Sequence, residues 1–322
     1  MPGLAPIFRI LIAAALLWVA ILASPVPARA AEPAGPLDAA RHSVVAVMPA
    51  WTARPANAEE PEGSGVVIGD GTLVLTADHM LGNAVRVRIR SLDGEIAAAN
   101  SASRASDTDL ALLKMPFALK PMELGGYPAV GERACAVGNA FGLGVSVTCG
   151  TVSAVRKSGV GFNPIEDFVQ TDAAVNPGMS GGALIDGNGV LIGRLSAIFT
   201  KQSDANIGVN FAVSAPLAGL ALERLQAAEA KAWPRAGLQL RPFPPRGGSG
   251  RAGAVIVDIA PGSAAADGGL QVGDIITLAG DRRIFGPAGM RAAVAMQNPG
   301  QPLAVTVLRD QDEHKLQIVI AE

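Results

Sequence analysis

The sequence predicts a larger all-β body followed by a smaller unit of mixed strands and helices. Three observations carry this. From Ser43 to about Phe211, short apolar runs recur between Gly, Asn and Asp, with no long amphipathic helix to interrupt them. The chain holds 38 Gly and 23 Pro without any period in the glycines, the balance that many short strands joined by turns produce. At 322 residues the chain is too long for one typical domain and fits two. That length also allows a hydrophobic core that needs no metal or disulfide staple.

The N-terminal segment comes first. Arg9 precedes an apolar stretch from Ile10 to Ala23, about 14 residues, where a membrane-spanning helix needs roughly 20. Pro25, Pro27 and the small-x-small triplet Ala28-Arg29-Ala30 follow, which together predict an export signal over 1–30, with the mature chain starting near Ala31. An uncleaved inner-membrane anchor is the alternative, and contact with a membrane follows only in that case.

Strands are predicted at Val44–Val47, Gly65–Ile68, Leu73–Thr76, Val85–Ile89, Leu110–Leu113, Ala134–Val137, Val145–Cys149 and Val190–Ile192. Pro55 to Gly63, with three Glu, reads as an exposed loop. The stretch 214–232 reads as a helix, opened by Ser214 and Pro216 and ended by Trp233-Pro234. This gives a first domain over 31–232 and a second over 235–322. The second contains strands at Ala254–Ile259, Asp274–Leu278, Leu303–Arg309 and Lys315–Ile320, a short Ala-rich helix, and a helix near Pro287–Gln297. Arg246 to Gly250 has the composition of a mobile loop.

The formal net charge of −2 supplies no basic footprint for nucleic acid. Three His and two Cys show no metal-ligand spacing, so no metal or other cofactor is implied. Export would put Cys135 and Cys149 in an oxidising compartment. They flank a glycine-rich turn near Gly142, and antiparallel pairing about that turn would bring them face to face. A bridge and two buried thiols both remain open.

His42 and His314 read as surface residues, but His79 ends the run Leu73 to His79, where a strand stops. Ser180 lies in the glycine-lined turn Asn176 to Gly182, and Asp109 lies at the mouth of the run Leu110 to Leu113. These types suit one chemistry. A serine hydroxyl needs a base to take its proton, and imidazole titrates in the right range. A buried carboxylate fixes the imidazole tautomer and stabilises the imidazolium. Gly178 allows the backbone N–H groups of Gly178 and Ser180 to converge on one oxyanion. Asp107 would share a strand face with Asp109 and is the competing carboxylate; Asp78 reads as a solvated or turn residue. The string Gly178-Met179-Ser180-Gly181-Gly182 also fits the nucleophile elbow of α/β-hydrolases, but there His follows Ser in the chain, and here it precedes it.

In order, the motifs are Gly63 to Ile68, Thr76 to His79, Thr108 to Lys114, Val137 to Leu143 and Gln170 to Gly178. Across roughly 40–215 the chain resembles the HtrA/Deg family of trypsin-like serine endoproteases. Residues 235–322, with Ala254 to Ala265 and Gly269 to Ile276, resemble the PDZ domain of that family. The resemblance implies a chymotrypsin/trypsin-like double six-stranded β-barrel followed by a small α+β PDZ domain. It implies a triad of His79, Asp109 and Ser180, preferring Asp109 to Asp107, and a primary specificity pocket bounded by Ala174, Leu195 and Ala197. No acidic residue stands at Ala174, so cleavage is expected after small or medium aliphatic residues. In the PDZ unit, a C-terminal peptide would add as a strand beside 238–240. Gly237 and Leu238 would meet its carboxylate, and Leu238, Leu240, Met290 and Val294 would take its last side chain. Leu238 and Leu240 could instead simply fill the core.

Three departures stand out. Met179 replaces the family's Asn before the serine, Ala140 replaces a Pro, and the segment Pro49 to Glu62 is short beside the regulatory loop of some relatives. The resemblance further implies unfolded or misfolded polypeptides as substrates, assembly as a homotrimer, and an exported location. A PDZ-containing chaperone or binding protein with little proteolysis is the alternative, and Met179 is the feature that favours it.

Overall fold

Strands β1 (Val44–Ala50), β2 (Gly63–Ile68), β3 (Leu73–Ala77), β4 (Arg86–Arg90), β5 (Ile96–Ala98), β6 (Ala102–Ala105) and β7 (Leu110–Lys114) form one antiparallel sheet in the order β5-β4-β1-β2-β3-β7-β6. This half carries seven strands where six were expected, because the short β5 adds an edge beside β4. Strands β8 (Arg133–Gly138), β9 (Ser146–Lys157), β10 (Phe168–Thr171), β11 (Ala183–Ile185), β12 (Leu191–Ile198) and β13 (Asn210–Ser214) close into a six-stranded barrel in the order β10-β13-β12-β11-β8-β9. Every residue of β2, β11 and β13 is buried, so these strands are covered on both faces. The computed structural model describes residues 35–52, 62–100, 102–198, 207–227, 232–243 and 252–320. The expected export signal, nearly all of the Pro55–Gly63 loop and the 246–250 loop lie outside them. Among the described residues, no helix is long and apolar enough to cross a membrane.

The helix after the barrel spans Ala215–Gln226, shorter than the 214–232 expected. Ser214 is its N-cap, with Oγ accepting from the Leu217 N–H at 3.3 Å, and a Pro sits in its first turn. Ala227 turns extended and ends it.

The C-terminal unit is a sheet of β14 (Leu238–Phe243), β15 (Gly253–Ile259), β16 (Ile275–Ala279), β18 (Pro302–Arg309) and β19 (Asp312–Val319), with the two-residue β17 (Arg282–Arg283) on β16. β14 is an edge strand. His314 pairs with Val307 inside the last hairpin. From Pro36 onward the chain packs as one compact unit. Ala295 of the C-terminal helix Pro287–Ala295 joins the apolar cluster that holds Ile165, Phe168 and Leu217. Fully burying a side chain as large as Phe168 contributes about 1.5–3 kcal/mol.

Candidate active site

Two strand ends of the first sheet supply an imidazole and a carboxylate. β3 stops at Ala77, and a single helical turn, Asp78–Leu81, carries His79. Before β7, a 3-10 turn over Ser106–Thr108 leaves Asp109 in the left-handed region at φ 55. That turn separates the two competing carboxylates. Asp107 is exposed, whereas Asp109 is buried and aimed at His79. Nδ1 of His79 lies 2.9 Å from both Asp109 carboxylate oxygens, and the His79 backbone N–H donates to Oδ1 at 2.9 Å. An ionised carboxylate only accepts, so the Nδ1 position holds the proton and Nε2 keeps its lone pair.

The barrel adds two further donors to the same carboxylate. Ser196 Oγ reaches Asp109 Oδ2 at 3.1 Å, and Arg194 Nη2 reaches Oδ2 at 3.1 Å and the Asp109 carbonyl at 2.5 Å. Burial disfavours charge on Asp109. The Arg194 guanidinium and the bonds from His79 more than offset it and hold the carboxyl well below the usual carboxylate range. Sequence reasoning passed over Arg194 and Ser196 as partners of Asp109. The available signal was a lone charge inside the apolar strand Leu191–Ile198. Asp78 departs from its expected solvated role. It is buried, ion-paired with Arg104 and bonded by Ser106 Oγ at 2.7 Å.

Ser180 comes from the loop before β11 and meets β2 across the junction of the two halves. Its carbonyl accepts from the Ser64 N–H at 2.9 Å, while Ser64 Oγ donates to the Gly178 carbonyl at 2.7 Å. Gly181 has φ +88, and a Cβ there would stand 2.0 Å from the Ser64 carbonyl oxygen. Gly178 has φ +90, and its Cβ would stand 2.4 Å from the Asn139 carbonyl oxygen. Both positions therefore require glycine. The Pro177 carbonyl accepts from the Phe141 N–H at 2.7 Å. In a trans peptide this turns the Gly178 N–H away from Phe141. Met179 is fully buried in the barrel's apolar cluster, and its sulfur accepts from the Asn176 N–H at 3.4 Å. The hydroxyl of Ser180 donates to the Ser196 carbonyl at 3.5 Å, and no hydrogen bond joins it to His79.

Of the expected specificity residues, Ala174 is half-buried, its carbonyl accepting from Thr148 Oγ1 at 2.5 Å, and Leu195 is fully buried. Ala197 pairs with Phe211 in β12, but its side chain lies outside the described residues. A disulfide joins Cys135 to Cys149, which stand directly opposite each other in the β8–β9 ladder. His42 and His314 are exposed. Among the described residues no His, Cys, Asp or Glu are grouped to hold a metal.

In the C-terminal unit, a groove of about 470 Å³ runs between edge strand β14 and the helix Pro287–Ala295. Gly237, Leu238, Leu240, Met290 and Val294 line it, and Asp107 of the first sheet with Pro164 and Ile165 of the barrel half form part of its wall. Leu238 and Leu240 are half-buried against the local core, so each has surface left for a ligand.

A trypsin-like body of two β halves, with an imidazole–carboxylate pair on the first, a serine-bearing glycine turn bonded to β2, and a PDZ domain following in the chain, defines the class. A trypsin-like peptidase domain model matches residues 63–193, and a PDZ domain model matches residues 205–320. The periplasmic serine endoprotease DegP of Escherichia coli strain K12 is 34% identical over 261 residues, covering 77% of this chain and 54% of that protein. The serine endoprotease DegS of Haemophilus influenzae is 31% identical over 269 residues, covering 81% of this chain and 77% of that protein. Among solved structures, the HtrA-type protease AlgW with tripeptide is similar at a TM-score of 0.67 and 32% identity, covering 89% of this chain and 95% of that one. The chain belongs to the HtrA/Deg family of serine endoproteases. It spans about half the length of the DegP relatives it matches.

Proposed function

We propose that the chain is an ATP-independent serine endopeptidase of the cell envelope that cleaves unfolded or misfolded proteins. Its trypsin-like domain covers 31–232, and its PDZ domain, 235–322, binds substrate or C-terminal peptides. The observation that carries this reading is the His79 Nδ1 contact with both Asp109 oxygens at 2.9 Å, taken with Ser180 in a glycine-bound turn. In the proposed mechanism His79 Nε2 takes the Ser180 proton as Oγ attacks the scissile carbonyl. The N–H groups of Gly178 and Ser180 receive the oxyanion, donors of a kind that each contribute about 3–4 kcal/mol. His79 then gives its proton to the leaving amine, and water repeats the sequence to release the acyl group.

Ala174, Leu195 and Ala197 would bound a pocket for small or medium aliphatic residues. The curated relatives named periplasmic, together with the 1–30 segment, support a periplasmic or secreted location, with an inner-membrane anchor as the alternative. Assembly as a homotrimer rests on the family resemblance alone. The bond from Ser180 to Ser196 rather than to His79 favours a second reading: a PDZ-containing binding protein with little proteolysis until its groove is loaded.

Casein cleavage by the chain from Ala31 onward, beside Ser180→Ala, separates these readings. The first expects kcat to fall at least about 10⁴-fold in the variant. No cleavage by either protein, even with C-terminal peptides added, supports the second.

A further inference from the structure

Arg194 is the largest of the fully buried side chains among the described residues, inside a strand whose neighbours Leu191, Ile192 and Leu195 are all buried and apolar. A buried charge needs partners, and Arg194 spends its donors on one place. Nη1 donates to the Leu195 carbonyl at 2.8 Å, and Nη2 to both the carbonyl and Oδ2 of Asp109. Nε has no partner among the described residues. Burial presses the guanidinium toward losing its proton, and Asp109, then Asp78, oppose this. Asp109 meanwhile holds a left-handed backbone, φ 55, that a non-glycine residue rarely adopts.

We propose that Arg194 is a positioning residue for the triad. It clamps the Asp109 backbone and offsets part of the carboxylate charge facing His79, so that His79 stays unprotonated, and able to act as base, at lower pH than beside Asp109 alone. The proposal rests on the endopeptidase reading above. Among the described residues, two further carboxylates lie within two positions of His79 or Asp109 in the chain. Asp78 is already neutralised by Arg104, and Asp107 is exposed on the 3-10 turn. Among the described residues, Arg194 is the arginine that bears directly on Asp109.

The test compares wild type with Arg194→Gln, which keeps an amide donor but loses the charge, and with Arg194→Lys, which keeps the charge. Two quantities are followed against pH: kcat/KM on an unfolded protein substrate, and the ring resonance of His79 in histidine-labelled protein. The chain has three His, and the His79 signal is identified by its loss in His79→Asn. In Arg194→Gln the acid limb of kcat/KM and the midpoint of the His79 resonance both move up by about one pH unit, and Arg194→Lys returns them toward wild type. A folded Arg194→Gln whose limb and midpoint match wild type, with kcat/KM merely scaled down, overturns the proposal and leaves Arg194 a packing residue. Arg194→Met supplies the same comparison should the Gln variant fail to fold. If wild type shows no Ser180-dependent cleavage, the endopeptidase reading fails, while the resonance comparison still decides the role of Arg194.

Discussion

Three carboxylates compete for His79 in the sequence, and their surroundings in the structure distinguish them. Asp78 is occupied by Arg104 and Ser106, Asp107 is exposed, and Asp109 alone takes the Nδ1 side of the ring. Asp109→Asn would replace an acceptor by a group that also donates, which favours the wrong imidazole tautomer. Its kcat should fall about 10⁴-fold, measured beside Ser180→Ala on the same substrate. The carboxyls also couple stability to pH. Asp109 is held below its ordinary range for the reasons given above. In Asp274, burial opposes the charge, but Arg309 at 2.7 and 2.8 Å and the Gln271 N–H more than offset it. A folded-state pKa below the unfolded one contributes stability that is complete above about pH 4 and lost as pH falls through and below that range. The urea midpoint should therefore drop from pH 6 to pH 3, and Asp274→Asn should flatten part of that slope.

At the scale of elements, Glu166 organises the loop between β9 and β10. Its carboxylate accepts from the backbone N–H groups of Gly159, Val160, Gly161, Phe162 and Asn163, at 2.5, 2.8, 2.7, 2.6 and 3.3 Å. Glu166→Ala leaves those donors without their acceptor, so amide exchange across 159–163 should quicken by about tenfold or more. Because Pro164 and Ile165 wall the groove, affinity for C-terminal peptides should fall as well. A second element-scale prediction concerns the β8–β9 disulfide, whose partners are 14 residues apart. Replacing both cysteines by Ser should cost about 3 kcal/mol in chemical denaturation, by the loop-closure argument. The hairpin itself was legible, because two apolar runs flank a glycine-rich turn. Most strands were legible for the same reason, and the triad because each member sits where a run begins or ends. The 3-10 turn that sends Asp107 outward was not, since ideal strand alternation puts Asp107 and Asp109 on one face. Glu166 and Arg194 were also missed. Their partners lie on backbone or on a distant strand, and no periodicity records such contacts.

At the scale of the whole molecule, the PDZ hairpin is keyed into the barrel by a buried ion pair. Arg282 bonds the fully buried Asp167 and donates to the Arg156 carbonyl at 2.9 Å. Asp167 also accepts from Ser214 Oγ, and from the Tyr127 hydroxyl at 2.6 Å. Burial and the Asp167 carboxylate push the Tyr127 hydroxyl well above its ordinary pKa, which keeps it a donor. Arg156 completes the contact, stacked 4.4 Å over the Tyr127 ring and paired with Asp281 at 2.6 Å. This arrangement joins the two cores, since Ala295 packs in the barrel cluster beside it. Arg282→Met removes the cation and leaves Asp167 buried, a change that typically costs about 3–5 kcal/mol. The double variant Arg282→Met with Asp167→Asn should cost less than that single one, because no uncompensated charge remains. Wild type should unfold in urea through one transition seen by both domains. In Arg282→Met the PDZ signal should melt first, as a separate step. Coincident transitions in the variant would mean that the shared apolar contact at Ala295, rather than the ion pair, couples the two units.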